Sequence, residues 1–112
     1  PMTQIPEITI DDVDGLLAEG YLLLDVREDD EWAAGHAEVA ISIPLSELVE
    51  RRDELDTSAQ ILVTCKAGGR SLKATEALRS WGYDATNLAG GMLAWAGADR
   101  PMIATEGDAY VL

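Results

Sequence analysis

Apolar positions fall in short runs separated by glycines and polar clusters, and the period of those runs changes along the chain. Thr9 followed by Asp12 has the spacing of a capping box, and Val13, Leu16 and Leu17 form the stripe of a helix that Gly20 ends. Leu22-Leu23-Leu24-Asp25-Val26 is almost continuously apolar, the pattern of a strand buried on both faces. Glu28 to Ala34 predicts a short polar helix closed by Gly35, and Val39 to Ile43 a second strand stopped by Pro44. Ser46 is placed to cap a helix carrying Leu48, Val49 and Leu55. Ile61 to Thr64 predicts a third buried strand and Cys65 to Gly69 a loop. From Ser71 a helix begins, with Ala74, Ala77, Leu78 and Trp81 at i, i+3, i+4 and i+7, and Gly82 ends it. Ala85 to Leu88 is another strand, Gly90-Gly91 a turn and Met92 to Ala96 a last helix. The tail from Pro101 to Leu112 has weak signals and is expected to wrap the surface.

Strands alternating with helices predict an α/β fold: a central, mainly parallel β-sheet flanked by helices on both faces. The 112 residues suit a single domain spanning 1–112, with its core from about residue 8 to 101. With 47% apolar and 26% charged residues, the composition is that of a globular chain and argues against global disorder. No apolar run approaches the ~18 residues of a membrane span, and no secretory signal precedes the first acidic cluster. One cysteine makes no internal disulfide, so a reducing, cytoplasmic setting is the simplest expectation.

Charge changes this picture in one place. The net charge is −13, which argues against nucleic acid or an anionic membrane as the main partner. Residues 1–56 hold 3 basic and 16 acidic side chains, whereas 57–112 hold 5 of each. Between Asp56 and Glu76 there is no acid, but there are Lys66, Arg70, Lys73 and the only cysteine, Cys65. A cationic stretch in an acidic protein attracts anions, although a solvated helix face has the same composition.

The segment around Cys65 narrows the choice. A buried strand ends, Cys65 follows at once, and Lys66, Ala67, Gly68, Gly69 and Arg70 lead into a helix. Sites in open parallel sheets lie at the carboxyl ends of strands. Glycines let backbone N–H groups converge on an anion, and the helix start points its positive end at the same place. Arg70 would add a forked cation and Lys66 a point charge. Such settings lower a free thiol from about 8.5 to roughly 3.5–7.5, which makes Cys65 a candidate nucleophile. A zinc site or a dithiol cycle lacks ligands or a second thiol, so no metal or organic cofactor is expected. The only histidine, His36, follows a glycine after a polar helix and is read as structural rather than as a general base.

These residues resemble the rhodanese family of single-domain sulfurtransferases. Cys65-Lys66-Ala67-Gly68-Gly69-Arg70-Ser71 is similar to that family's Cys-x-x-Gly-x-Arg-Ser loop. Upstream, Asp25-Val26-Arg27-Glu28 with Glu31, Trp32, Gly35, His36 and Ile43-Pro44 resembles its Asp-Val-Arg … Glu-aromatic … Gly-His … Ile-Pro pattern. Downstream, Gly82-Tyr83, Asn87-Leu88, Gly90-Gly91 and Ala94-Trp95 resemble its closing motif, and the likeness runs from about Ile8 to Pro101. The chain departs after His36, where Ala37-Glu38-Val39-Ala40 stands in place of the usual Ile-x-Gly-Ala.

The resemblance implies a persulfide on Cys65, loaded by a small anionic sulfur donor such as thiosulfate and unloaded by cyanide or a thiol, with a protein sulfur acceptor as a further partner. It also implies that backbone N–H groups of residues 66–70 hold the charge and that Arg70, with Lys66, binds the donor. Two alternatives stand beside it. A phosphatase or arsenate reductase of similar architecture uses a longer loop than the four residues between Cys65 and Arg70. A non-enzymatic persulfide carrier or regulatory module would share the same fold. Asp25 is expected to be scaffold, Arg27 to pair with an acid in the Glu28–Glu31 run, and Trp81 and Trp95 to lie in the core.

Overall fold

The computed structural model describes residues 4–112, so residues 1–3 of the expected span lie outside the described residues. Five short strands form one sheet: β1 (Glu7–Ile8), β2 (Leu22–Asp25), β3 (Ile41–Ser42), β4 (Gln60–Thr64) and β5 (Asp84–Leu88). Their spatial order is β1-β5-β4-β2-β3, and every neighbouring pair is parallel. The helices are α1 (Val13–Ala18), α2 (Asp29–Ala34), α3 (Leu48–Arg51), α4 (Gly69–Ser80) and α5 (Gly91–Gly97). This is the expected α/β arrangement. No described helix is long and apolar enough to cross a membrane.

Alternation along the central strands divides the apolar interior in two. Leu24 of β2 and Ile61 and Val63 of β4 pack with Ala74 and Leu78 of α4 and with Leu48, Leu55 and Tyr83. Leu23 and Leu62 point the other way, into a cluster with Val13 of α1, Leu88 of β5, and Met92 and Trp95 of α5. Both faces are covered, which is why the strands read as unbroken apolar runs instead of alternating ones. Trp95 is buried as expected. Trp81 sits at the edge of the first cluster with the Arg52 guanidinium 4.7 Å above its ring.

Several elements begin or end elsewhere than the pattern suggests. β1 was not legible, because two residues are too few to show a period; it is held on β5 by Asn87 N–H to Pro6 O and Ala89 N–H to Ile8 O, both 2.8 Å. Thr9 makes no capping bond, and a 3-10 turn over Ile10–Asp12 precedes α1. Ser46 does not cap either. Its hydroxyl donates to the Glu28 carboxylate at 3.2 Å, and the expected helix breaks into α3 between two 3-10 turns. The strand expected over 39–43 shrinks to β3, and α4 starts at Gly69 rather than Ser71.

The ends of β2 and α2 are joined through a buried ion pair, and here the structure corrects the reading of Arg27. It does not pair with a side chain of the Glu28–Glu31 run. It is fully buried and its Nη2 donates to Asp25 Oδ2 at 2.7 Å. The same Nη2 donates to Gly35 O at 2.7 Å, so the guanidinium ties the carboxyl end of β2 to the end of α2. Asp25 is scaffold, as expected. The tail wraps over the same place. Ile103 and His36 exchange backbone hydrogen bonds of 2.8 Å, and Thr105 and Tyr110 donate to Ala33 O and Ala34 O. His36 stacks on Trp32 with ring centroids 3.7 Å apart, and its Nδ1 lies 2.7 Å from Trp32 O, a structural role.

Removing one member of a buried pair leaves the other charge unmatched, which typically costs about 3–5 kcal/mol. Arg27→Met should lower stability in urea unfolding by that amount, whereas Val49→Ala, at a position 63% exposed, should change it by less than about 0.5 kcal/mol. Equal effects at the two positions would remove the pair from its central place.

Candidate active site

Cys65 is the first residue after β4, so its position follows from the strand that ends at Thr64. The chain then has to turn back into α4 within three residues. Gly68 makes that turn at φ 109°, a left-handed conformation that only glycine adopts freely. The turn aims the Gly68 N–H at the Cys65 sulfur, 3.1 Å away. From the first turn of α4 the Ser71 hydroxyl donates to the same sulfur at 3.2 Å. Cys65 is only 1% exposed and Ser71 is fully buried.

A second set of bonds disposes of the loop's acceptors. Met92 N–H donates to Cys65 O at 2.7 Å and Leu93 N–H to Lys66 O at 3.0 Å, both from the first turn of α5. Leu72 N–H takes Gly68 O at 3.1 Å. With its carbonyls engaged on the outside, the loop presents donors to the sulfur. Gly91 makes the approach of α5 feasible: a Cβ there would collide with Cys65 O and come within 2.7 Å of Lys66 O.

The thiol therefore sits between opposing effects. Burial pushes it up. Hydrogen bonds from the Ser71 hydroxyl and from the N–H groups of Ser71, Gly68 and Ala67 outweigh burial and bring it below the ordinary thiol value. The shift comes from hydrogen-bond donors, and His36 is engaged elsewhere.

Arg70 is not the free cation that the acid-free stretch implied. Its Nη1 and Nη2 donate to Glu31 Oε1 and Oε2 of α2, at 2.7 and 2.8 Å. Those two bonds are the main reason that the Glu31 carboxyl falls to about 2. The stretch lacks acids only along the chain; in space α2 supplies one. Arg70 still senses the Cys65 charge, a smaller contribution than that of Glu31 to its raised value. Lys66, half-buried, makes no ion pair among the described residues, and Ala67 and Gly69 are exposed at the mouth of the loop. Ser71 and Glu31 are the functional candidates that sequence reasoning passed over. Both stood in the quoted motifs, but nothing in the spacing says that they meet the sulfur and the arginine.

Comparisons with known proteins agree with the fold. A family model described as a rhodanese-like domain matches residues 9–98. A protein named thiosulfate sulfurtransferase 18 from Arabidopsis thaliana is 35% identical over 118 residues, covering 92% of this chain and 87% of that protein. A sulfurtransferase from Allochromatium vinosum is 34% identical over 90 residues, covering 80% of this chain and 84% of that one. Among solved structures, a rhodanese-related protein from Thermoplasma volcanium superposes with a TM-score of 0.83 at 32% identity, over 90% of this chain and 99% of the other.

Two outcomes follow from the site alone. Ser71→Ala should raise the pH at which the thiolate absorbance of Cys65 appears, with Cys65→Ser as the blank; an unchanged midpoint would show that the hydroxyl does not hold the charge. Glu31 is an acid whose value is lower folded than unfolded. Its pairing therefore stabilises fully above the unfolded value near ~4.3 and is lost as pH falls toward about 2. The stability difference between wild type and Glu31→Gln should be constant at neutral pH and narrow below about pH 4.3.

Proposed function

The chain belongs to the rhodanese-like domain family of sulfurtransferases, and on that premise we propose that residues 1–112 act as one unit that carries sulfur on Cys65. The observation that supports this most is the buried sulfur facing the Gly68 N–H and the Ser71 hydroxyl. That setting favours an anionic sulfur both before and after a sulfur atom is added.

The Cys65 thiolate attacks the outer sulfur of a donor such as thiosulfate. A new S–S bond forms, the donor's own S–S bond breaks, and sulfite leaves with the bonding pair. Cys65 is now a persulfide whose terminal sulfur carries the negative charge. The N–H groups of the loop stabilise that charge as an oxyanion hole stabilises oxygen. Cyanide or a thiolate, free or on a protein, then attacks the terminal sulfur, and the Cys65 thiolate leaves unchanged. The two half-reactions share one site, so ping-pong kinetics are expected.

Lys66 and Arg70 draw the anionic donor to the loop. Arg70 does so while clamped to Glu31, so its orientation is set before the donor arrives and less side-chain freedom is lost on binding. No cofactor enters either half-reaction. The lone thiol fits a reducing compartment, where a persulfide waits for an outside acceptor because no second cysteine can discharge it.

Intact-mass measurement after thiosulfate treatment should show the gain of one sulfur atom, and cyanide should remove it. Cys65→Ser should never acquire it. A mass that stays constant with thiosulfate and with organic persulfides would refute sulfur carriage. A gain that persists in Cys65→Ser would move the site elsewhere.

A further inference from the structure

Asn87 lies at the heart of β5 and is fully buried, yet it is not accounted for by the sheet or by the sulfur. Its Nδ2 donates to Glu7 Oε2 of β1 at 2.7 Å and reaches Gly68 O at 3.3 Å. Its Oδ1 has no partner among the described residues. A buried amide with one unsatisfied end is costly, so its retained end needs a reason. Both groups facing Nδ2, a carboxylate and a carbonyl, are acceptors only. The NH2 must therefore face them, and a flipped amide would set oxygen against oxygen.

The register explains how the three residues meet. β1 pairs with β5 so that Glu7 stands opposite Asn87. The end of β5 runs beside the Cys65 loop, with Gly68 packed against the chain at Leu88 to Gly90. Gly68 is the left-handed residue whose N–H points at the sulfur. A glycine is also the residue with the most backbone freedom to lose, so its orientation needs external support. Its carbonyl gets that support from two sides, Leu72 N–H within α4 and Asn87 Nδ2 across the sheet.

We infer that Asn87 is a positioning residue for the nucleophile: braced by Glu7, its amide holds the Gly68 carbonyl and so aims the Gly68 N–H at the Cys65 sulfur. The inference rests on the reading of Cys65 as the reactive group, but not on which donor or acceptor it uses. It gives the two-residue edge strand β1 a function, since that strand carries the brace. It also explains why an amide occupies a wholly buried sheet position where an aliphatic side chain would pack without an orphaned oxygen.

The test reads the thiolate directly by ultraviolet absorbance against pH, with Cys65→Ser as the blank, so it needs no sulfur transfer. Asn87→Ala should move the midpoint upward, and its thiolate signal at a pH below the wild-type midpoint should fall roughly three- to tenfold. Glu7→Ala should shift it the same way by less. Glu7→Gln should restore the wild-type curve, because the Gln carbonyl accepts the same bond. Glu7 is exposed, so its variants keep the fold and decide the matter even if Asn87→Ala does not. Wild-type midpoints in both Asn87→Ala and Glu7→Ala would overturn the inference, whatever their melting temperatures. If sulfur loading fails while these midpoints shift, the transfer reading falls and the positioning role stands.

Discussion

A sulfur anion under a protein loop needs backbone donors on one side, and those donors are available only if the carbonyls of the same loop are taken up on the other. This constraint organises the region around Cys65. Met92 and Leu93 hold the carbonyls of Cys65 and Lys66 from the start of α5, and Leu72 and Asn87 hold that of Gly68. Four N–H or O–H groups directed at one sulfur would leave several orphaned acceptors if the loop stood alone, and burial makes each of those expensive. The two glycines that matter most serve this arrangement. Gly68 turns the chain and Gly91 lets a helix approach within hydrogen-bond distance of the loop's back.

The ion pairs divide by burial and by task. Asp25 and Arg27 are sealed from water, and Arg27 ties the end of α2 to the carboxyl end of β2. Glu31 rides on α2 and meets Arg70 at the rim of the loop, with the arginine 37% exposed. The outer pair therefore depends on the inner one, because α2 has to be placed before Glu31 can reach across. The tail adds its own backbone bonds to the end of α2. A change at the buried pair should then propagate to Arg70, while a change at the outer pair should stay local.

How much was legible along the chain depended on the range of the interaction involved. The apolar runs at 22–26 and 61–64 identified central strands because burial on two faces leaves a mark in consecutive residues. The Cys65 loop was legible for a similar reason: strand, cysteine, glycines and helix are adjacent. β1 left no period to read. Ser46 looked like a cap and became a partner of Glu28, since a hydroxyl satisfies either and only the fold chooses.

By itself the sequence determined the α/β layering, the place of the cysteine at a strand's end and the glycines that allow a donor loop. These follow from periodicity and from conformational freedom, both of which act over a few residues. Tertiary structure alone decided which charges meet. Arg27 found Asp25 rather than the acids just after it, and Arg70, isolated from acids in sequence, found Glu31 39 positions away. It also decided that Asn87 would stand between Glu7 and Gly68. The physical reason is that electrostatic and hydrogen-bond partners are chosen by distance in space and by the scarcity of water, and neither exists until the sheet has brought its strands together.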